Sequence, residues 1–373
     1  MNWRLLAIAA SVVPLLFMFL FTHLSTEDIF AVGAIPFVIS CMSVMGRILL
    51  QSYRFKYFIK EFIGHDVSST ANTMSARLAG EFVTQTTPSY VGGELVRIAW
   101  LTKKGVAAGK AAWLTTMEII ADVLVGTMLG FIAGALAIYN GASFIGIIVI
   151  LIAIPTFAFW VVLIIFSAKR TLRLPSFSLA IVQRFVAKER AERMVESVND
   201  ALSDLCKMSR DNFNSPKAIK TFSIGIAITF IAFLFQGYSF MVLANAVGSD
   251  IDLFDSLMAT SASTVLATLP ITLGGSGLAE LGLWAYVSDL NSIPSLDDVL
   301  NDNQLSVIIV WRIASYHVPL VIMWIALMKT IGRAPLRDTR TSYLASQKEN
   351  KDTFSASTHD QNKRIDKSDN SVK

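Results

Sequence analysis

From residue 123 to residue 168 the chain carries no Asp, Glu, Lys or Arg. A bilayer core takes about 20 apolar residues per helical crossing, so this stretch is long enough for two. Tyr139-Asn140-Gly141-Ala142-Ser143 supplies the turn between them. Composition points the same way: 53% of residues are hydrophobic and 16% charged, against about 25% charged in soluble domains. That excludes disordered and collagen-like chains, and 2 Cys exclude a disulfide scaffold. Cys41 lies in an apolar run and Cys206 in a charged segment with no metal-ligand spacing, so neither a bridge nor a metal is expected.

Further apolar runs cover residues 5–24, 29–50, 221–247 and 304–328. The first resembles a signal peptide in position, but it is longer than the usual apolar region of one. Its exit, His23-Leu24-Ser25-Thr26-Glu27-Asp28, lacks a small-x-small cleavage pattern. It is therefore expected to stay as a span.

Charge sorts the connecting loops. Segments 23–28, 139–142, 248–255 and 289–303 contain Glu27, Asp28, Asp250, Asp252, Asp255, Asp289, Asp297, Asp298 and Asp302, with no Lys or Arg. The other side carries Arg54, Lys56, Lys60, Lys103, Lys104, Lys110, a run of cations from Lys169 to Lys220, and Lys329, Arg333, Arg337 and Arg340. Lys and Arg gather on the cytoplasmic side of a membrane protein. This predicts a multi-pass protein of the plasma membrane with both termini cytoplasmic. Residues 177–208, with Ile181, Phe185, Val195, Val198, Leu202 and Leu205 at helical spacing, read as an amphipathic helix in a cytoplasmic loop, 169–220. It lies either on headgroups or against the protein itself. Residues 334–373, polar and charged, read as a disordered cytoplasmic tail, and 1–333 as the membrane domain.

Two segments remain, about 70–102 and 254–288, each beginning and ending on one side. The first contains Pro88, Gly92, Gly93 and Glu94; the second contains Pro270, Gly274, Gly275, Gly277 and Glu280. Both read Pro-x-x-x-Gly-Gly followed by Glu, after a stretch rich in Ser, Thr and Ala. Proline ends a helix and glycine allows positive φ and close approach. Small residues let half-helices pack tightly. Broken helices in corresponding positions of two halves point to a transporter site. The glycines could serve packing alone, but two copies in matching topological places favour re-entry. The expected fold is all-α: a polytopic membrane protein with six full spans plus two re-entrant broken-helix hairpins, arranged as an inverted repeat.

Ionisable residues at membrane depth cost at least about 2.5–3.5 kcal/mol each on insertion scales. Arg77, Glu81, Glu94, Arg97, Glu118, Asp122, Glu280 and Arg312 fall there. Arg77 pairs with Glu81 at i,i+4 spacing, and Glu94 with Arg97 at i,i+3. Glu118 and Asp122 are like charges at i,i+4, so a proton or a cation must separate them; Arg97 or Arg312 is the expected cation. Tyr316, His317 and Pro319 follow Arg312 closely. Arg97 and Arg312 are candidate contacts for an anionic headgroup, unless the pairs only lock the bundle. Trp100, Trp113 and Trp284 are expected at the membrane interface.

At these motifs the chain resembles the lysylphosphatidylglycerol synthase transmembrane region, or flippase-like domain. The likeness is carried by Gly80-Glu81-Phe82, by Thr87-Pro88-Ser89-Tyr90-Val91-Gly92-Gly93-Glu94-Leu95-Val96-Arg97, by Gly105, and by Glu118 with Asp122. Pro270, Gly274, Gly275, Gly277, Glu280, Arg312, Tyr316 and Pro319 continue it. The resemblance covers about residues 5–332 and implies a membrane domain that binds lipids and moves them between leaflets. Some members are fused to an aminoacyl-transferase, and others accompany glycosyltransferases acting on polyprenyl lipids. One departure is Ile119, where the pattern has an Arg beside the acidic residue.

The expected function is a lipid flippase or lipid-binding transporter for an anionic or polyprenyl-linked lipid. The alternative is a membrane scaffold or subunit for a separate cytoplasmic transferase. With no donor-binding or nucleotide motif, an enzyme is not expected, and neither is a cofactor, a metal or a nucleic-acid partner.

Overall fold

The computed structural model describes residues 32–87, 92–169, 174–184, 188–213, 215–269, 275, 277–289 and 304–331. The expected span at 5–24, the residues Glu27, Asp28, Pro88, Pro270, Gly274, Asp297, Asp298 and Asp302, and the tail at 334–373 lie outside them. Met1–Leu327 forms one compact unit; of the second, Met328–Lys373, the described part is the helical stretch 328–331.

The described residues are helical, with no strand among them. In order they form α1 (Ala34–Ile63), α2 (Thr70–Gln85), α3 (Gly93–Lys103), α4 (Ala108–Tyr139), α5 (Ser143–Lys169), α6 (Ser176–Gln183) and α7 (Lys188–Phe213). Then follow α8 (Pro216–Ala246), α9 (Leu253–Ala267), α10 (Leu278–Val287), α11 (Gln304–Arg312), a π-turn (Ile313–His317) and α12 (Val318–Ile331). Among the described residues five helices are long and apolar enough to cross a membrane: α1, α4, α5, α8, and α11 continued through the π-turn into α12.

The burial pattern is that of a bundle in lipid. On α1, Ile35, Val38, Met42 and Leu49 face outward, while Ser40, Ser43, Gln51 and Ser52 are buried. On α5, Leu151, Phe157, Phe159 and Val162 are exposed. Apolar surface on this scale marks a membrane-facing protein. Lipid tails are as apolar as leucine, so close packing and hydrogen bonds, not burial of apolar area, draw the helices together. Ser43 accordingly donates to the Phe235 carbonyl at 2.7 Å, tying α1 to α8. Where α4 crosses α5, a Cβ on Gly146 would lie 2.6 Å from the Gly134 carbonyl oxygen. Along α9, Ser256, Ala259, Thr260, Ser261, Ala262 and Ser263 are all buried.

Several sequence expectations are corrected. The second span does not end near residue 50: α1 runs on to Ile63, which places Arg54 inside the helix and not in a cytoplasmic loop. The third begins at Ala108, well before the uncharged stretch that opens at residue 123. Trp113 and Trp284, expected at the interface, are buried in the protein. Residues 177–208 fall into two helices, and α7 packs on α4 and α5, burying Ala191 and Cys206. The turn at 139–143, the helices on either side of it, and the break into half-helices on both sides of residues 88–91 and 270–274 stand where the sequence placed them.

Candidate functional site

The first hairpin is α2 followed by α3. At the end of α2 the hydroxyls of Thr86 and Thr87 donate to the carbonyls of Phe82 and Val83, each at 2.8 Å. They add a second donor to carbonyls that the Thr86 N–H already bonds, closing off the end of the helix. α3 begins beyond Gly92, whose φ of 121° suits only glycine. The Gly92 N–H donates to Glu94 Oε2 at 2.7 Å. The half-helices touch backbone to backbone: a Cβ on Gly93 would lie 2.3 Å from the Gly80 carbonyl oxygen.

The second hairpin is α9 followed by α10, and its turn is built alike. Thr268 donates to the Val265 carbonyl at 2.6 Å. The N–H of Gly277, at φ 88°, donates to Glu280 Oε2 at 2.7 Å. Ser263 donates to the Ala279 carbonyl at 2.7 Å and ties the half-helices together.

Buried charges collect behind the first hairpin. Glu118, 1% exposed, has guanidinium nitrogens of Arg54, Arg77 and Arg97 at 3.6, 3.3 and 3.4 Å. Neither of its oxygens has a hydrogen bond among the described residues. Arg54, fully buried, forms a bidentate pair with Asp122 at 2.7 and 2.8 Å and also donates to the Thr229 hydroxyl. Arg77 pairs with Glu81 one turn along α2. The cation that separates Glu118 from Asp122 is therefore Arg54. Of that acidic pair Arg97 reaches Glu118, at 3.4 Å, and Arg312 pairs elsewhere, with Glu280 at 2.7 Å. Arg312 also lies over the Tyr316 ring, 4.3 Å from its centroid.

One bond joins the two groups. The Tyr316 hydroxyl donates to the Gln85 carbonyl at 2.9 Å, and the Gln85 amide donates to Glu81 at 3.3 Å. A polar path thus runs from Asp122 through Arg54, Glu118, Arg77, Glu81, Gln85, Tyr316 and Arg312 to Glu280. The π-turn contributes to it, since it holds Tyr316 and follows directly on Arg312; such turns are frequent at functional sites.

Of the sequence-derived site residues, Gly92, Gly93, Glu94, Arg97, Glu118 and Asp122 gather at the first hairpin. Gly275, Gly277 and Glu280 belong to the second hairpin, and Arg312 and Tyr316 to the end of α11 and the π-turn that follows it. Pro88, Pro270 and Gly274 lie outside the described residues. Sequence reasoning missed Arg54, Thr229 and Gln85. The signal for Arg54 was available: it follows the second apolar run without a helix breaker, and α1 continues to Gly64, whose φ is 94°. Among the described residues no group of three His, Cys, Asp or Glu is placed to hold a metal ion.

Several long apolar helices with a charged, hydrogen-bonded interior define a multi-pass membrane protein. The chain belongs to the family described as the lysylphosphatidylglycerol synthase TM region, whose pattern matches residues 4–322. It is also similar to a UPF0104 membrane protein of Archaeoglobus fulgidus. The two are 25% identical over 281 residues, which cover 72% of this chain and 78% of the relative.

Proposed function

We propose that the chain is a lipid-binding transporter that moves an anionic or polyprenyl-linked lipid between the leaflets of the plasma membrane, and is not itself an enzyme. The observation that supports this is the polar path from Asp122 to Glu280, which passes through both broken hairpins and ties them to the long apolar helices α1, α4 and α11–α12. Charges so placed are expensive and mark substrate pathways. The two hairpins enter from opposite faces as an inverted repeat, with both termini cytoplasmic. The headgroup travels along the polar path while the acyl chains stay in the bilayer. Family membership, in a membrane domain of lipid-related proteins, agrees with this reading.

Leaflet exchange of labelled phosphatidylglycerol and polyprenyl phosphate in proteoliposomes tests it. The expected result is exchange faster than in protein-free vesicles for at least one of them. Rates equal to those of empty vesicles for every lipid tried would end the proposal.

One observation favours a second reading, a membrane subunit that docks a separate cytoplasmic transferase. A crevice of about 400 Å³ between α6 and α7 is lined by Leu179, Val195, Glu192, Glu196 and Asp200. Reversing the three acidic charges should then abolish cellular function and leave lipid exchange unchanged.

A further inference from the structure

Both hairpins carry the same small device. A glutamate in the first turn of the second half-helix turns back onto a glycine N–H, at 2.7 Å in each case. Its other oxygen faces a guanidinium. Here the copies part. Glu280 Oε1 is 2.7 Å from Arg312 Nε, whereas Glu94 Oε1 is 4.0 Å from Arg97. Glu280 is buried and Glu94 only partly so. One glutamate is locked to its arginine, and the other stands off from it.

The same contrast runs through the buried arginines. Arg54 is held by Asp122 and Thr229, Arg77 by Glu81, and Arg312 by Glu280 and the face of Tyr316. Arg97 is 4% exposed, and among the described residues its ion contacts stand at 3.4 and 4.0 Å, none as short as those that hold the other three. A buried guanidinium held only by long contacts is costly. Its stem rests on α2, with Cγ about where a Cβ on Gly80 would press at 3.0 Å, so it has little room to swing away. The 11-residue helix α3 adds its first N–H groups and the positive end of its dipole.

Resting on the transporter reading, we propose that Arg97 and the first turn of α3 form a phosphate seat, and that Glu94 is the built-in anion that fills it when no ligand is bound. An incoming phosphate takes the place of the Glu94 carboxylate on the Gly92 N–H and draws in the Arg97 guanidinium. Phosphate suits the seat because it offers several acceptor oxygens where a carboxylate satisfies one donor and misses the other. The Glu280–Arg312 pair, closed on itself, is a clamp and takes no ligand.

The test uses the full chain in detergent, with phosphatidylglycerol in mixed micelles and inorganic phosphate as separate probes. Glu94→Gln should tighten phosphatidylglycerol binding roughly tenfold, because a charged competitor is removed. Arg97→Gln should weaken it by a similar factor, and Glu280→Gln should not tighten it. Unchanged or weaker binding by Glu94→Gln, or an equal gain from Glu280→Gln, overturns the seat. A gain seen with inorganic phosphate and not with the lipid makes this a site for the free ion and overturns the lipid assignment. If Glu94→Gln fails to fold, Glu94→Asp, one methylene too short to hold the Gly92 N–H, should shift binding in the same direction. Exchange by wild type with no affinity change in either Glu94 variant refutes the seat alone. Tightened binding by Glu94→Gln in a protein that never exchanges lipid refutes the transporter reading alone.

Discussion

Around the α2–α3 hairpin Arg54, Arg77 and Arg97 converge with Glu81, Glu94, Glu118 and Asp122, whereas the α9–α10 hairpin, whose first helix buries small and hydroxylated residues, brings Glu280 to Arg312. The turns themselves are alike: glycine at positive φ, a glutamate on its N–H, a threonine on the preceding helix end. Local sequence sets the turn, and the neighbouring helices set what it does. α4 offers Glu118 and Asp122 to the first hairpin, and three arginines share Glu118 without a hydrogen bond to it. Among the described residues the second hairpin has one carboxylate–guanidinium pair, at 2.7 Å.

The largest test of this difference is Arg54→Ala. It leaves Asp122 without its bidentate cation and Glu118 with two arginines in place of three, and breaking a buried pair costs about 3–5 kcal/mol. Thermal unfolding in detergent should show a large drop in midpoint; a change within error would mean the cluster does not hold the bundle. The second hairpin should behave as an isolated pair. Glu280→Gln and Arg312→Gln should each cost about 1.5–3 kcal/mol, and the double variant should lose less than the sum of the two. Additive losses would dissolve the contrast between shared and exclusive pairing.

Glycine substitutions probe the turns at a smaller scale. Gly93→Ala drives a Cβ into the Gly80 carbonyl and should cost about 1–3 kcal/mol through overpacking. Gly277→Ala meets open space and suffers only its φ of 88°, so about 1 kcal/mol is expected. If urea or thermal unfolding reverses that order, the tight crossing belongs to the wrong hairpin. Tyr316→Phe removes one hydroxyl, the bond to the Gln85 carbonyl, and should cost about 0.5–1.5 kcal/mol. Its lipid exchange should slow by more than its stability falls. An unaffected rate would mean the two hairpins work without this link.

Much of this arrangement was legible in the sequence because membrane depth makes charge and proline conspicuous. The breaks near residues 88–91 and 270–274, the turn at Asn140, and the buried positions of Arg77, Glu118 and Arg312 follow from residue type alone. Arg54 did not follow. It sits near the end of an apolar run, where an arginine ordinarily reaches out to the headgroups, and only the position of Asp122 on α4 explains why it turns inward. Partner identity is a long-range fact: Arg54 and Asp122 are far apart in sequence, and so are Tyr316 and Gln85. The tryptophans misled for a related reason. Trp113 meets Phe62 edge-on at 4.5 Å, a neighbour that spacing along α4 cannot foretell.

Gly80 against Gly93 has a mechanical consequence. Where the Gly80 and Gly93 backbones meet there is no slack, so a relative shift of α2 against α3 meets backbone at once. At either end of the hairpin Gly64 and Gly105 stand at positive φ, where any side chain would strain the connection.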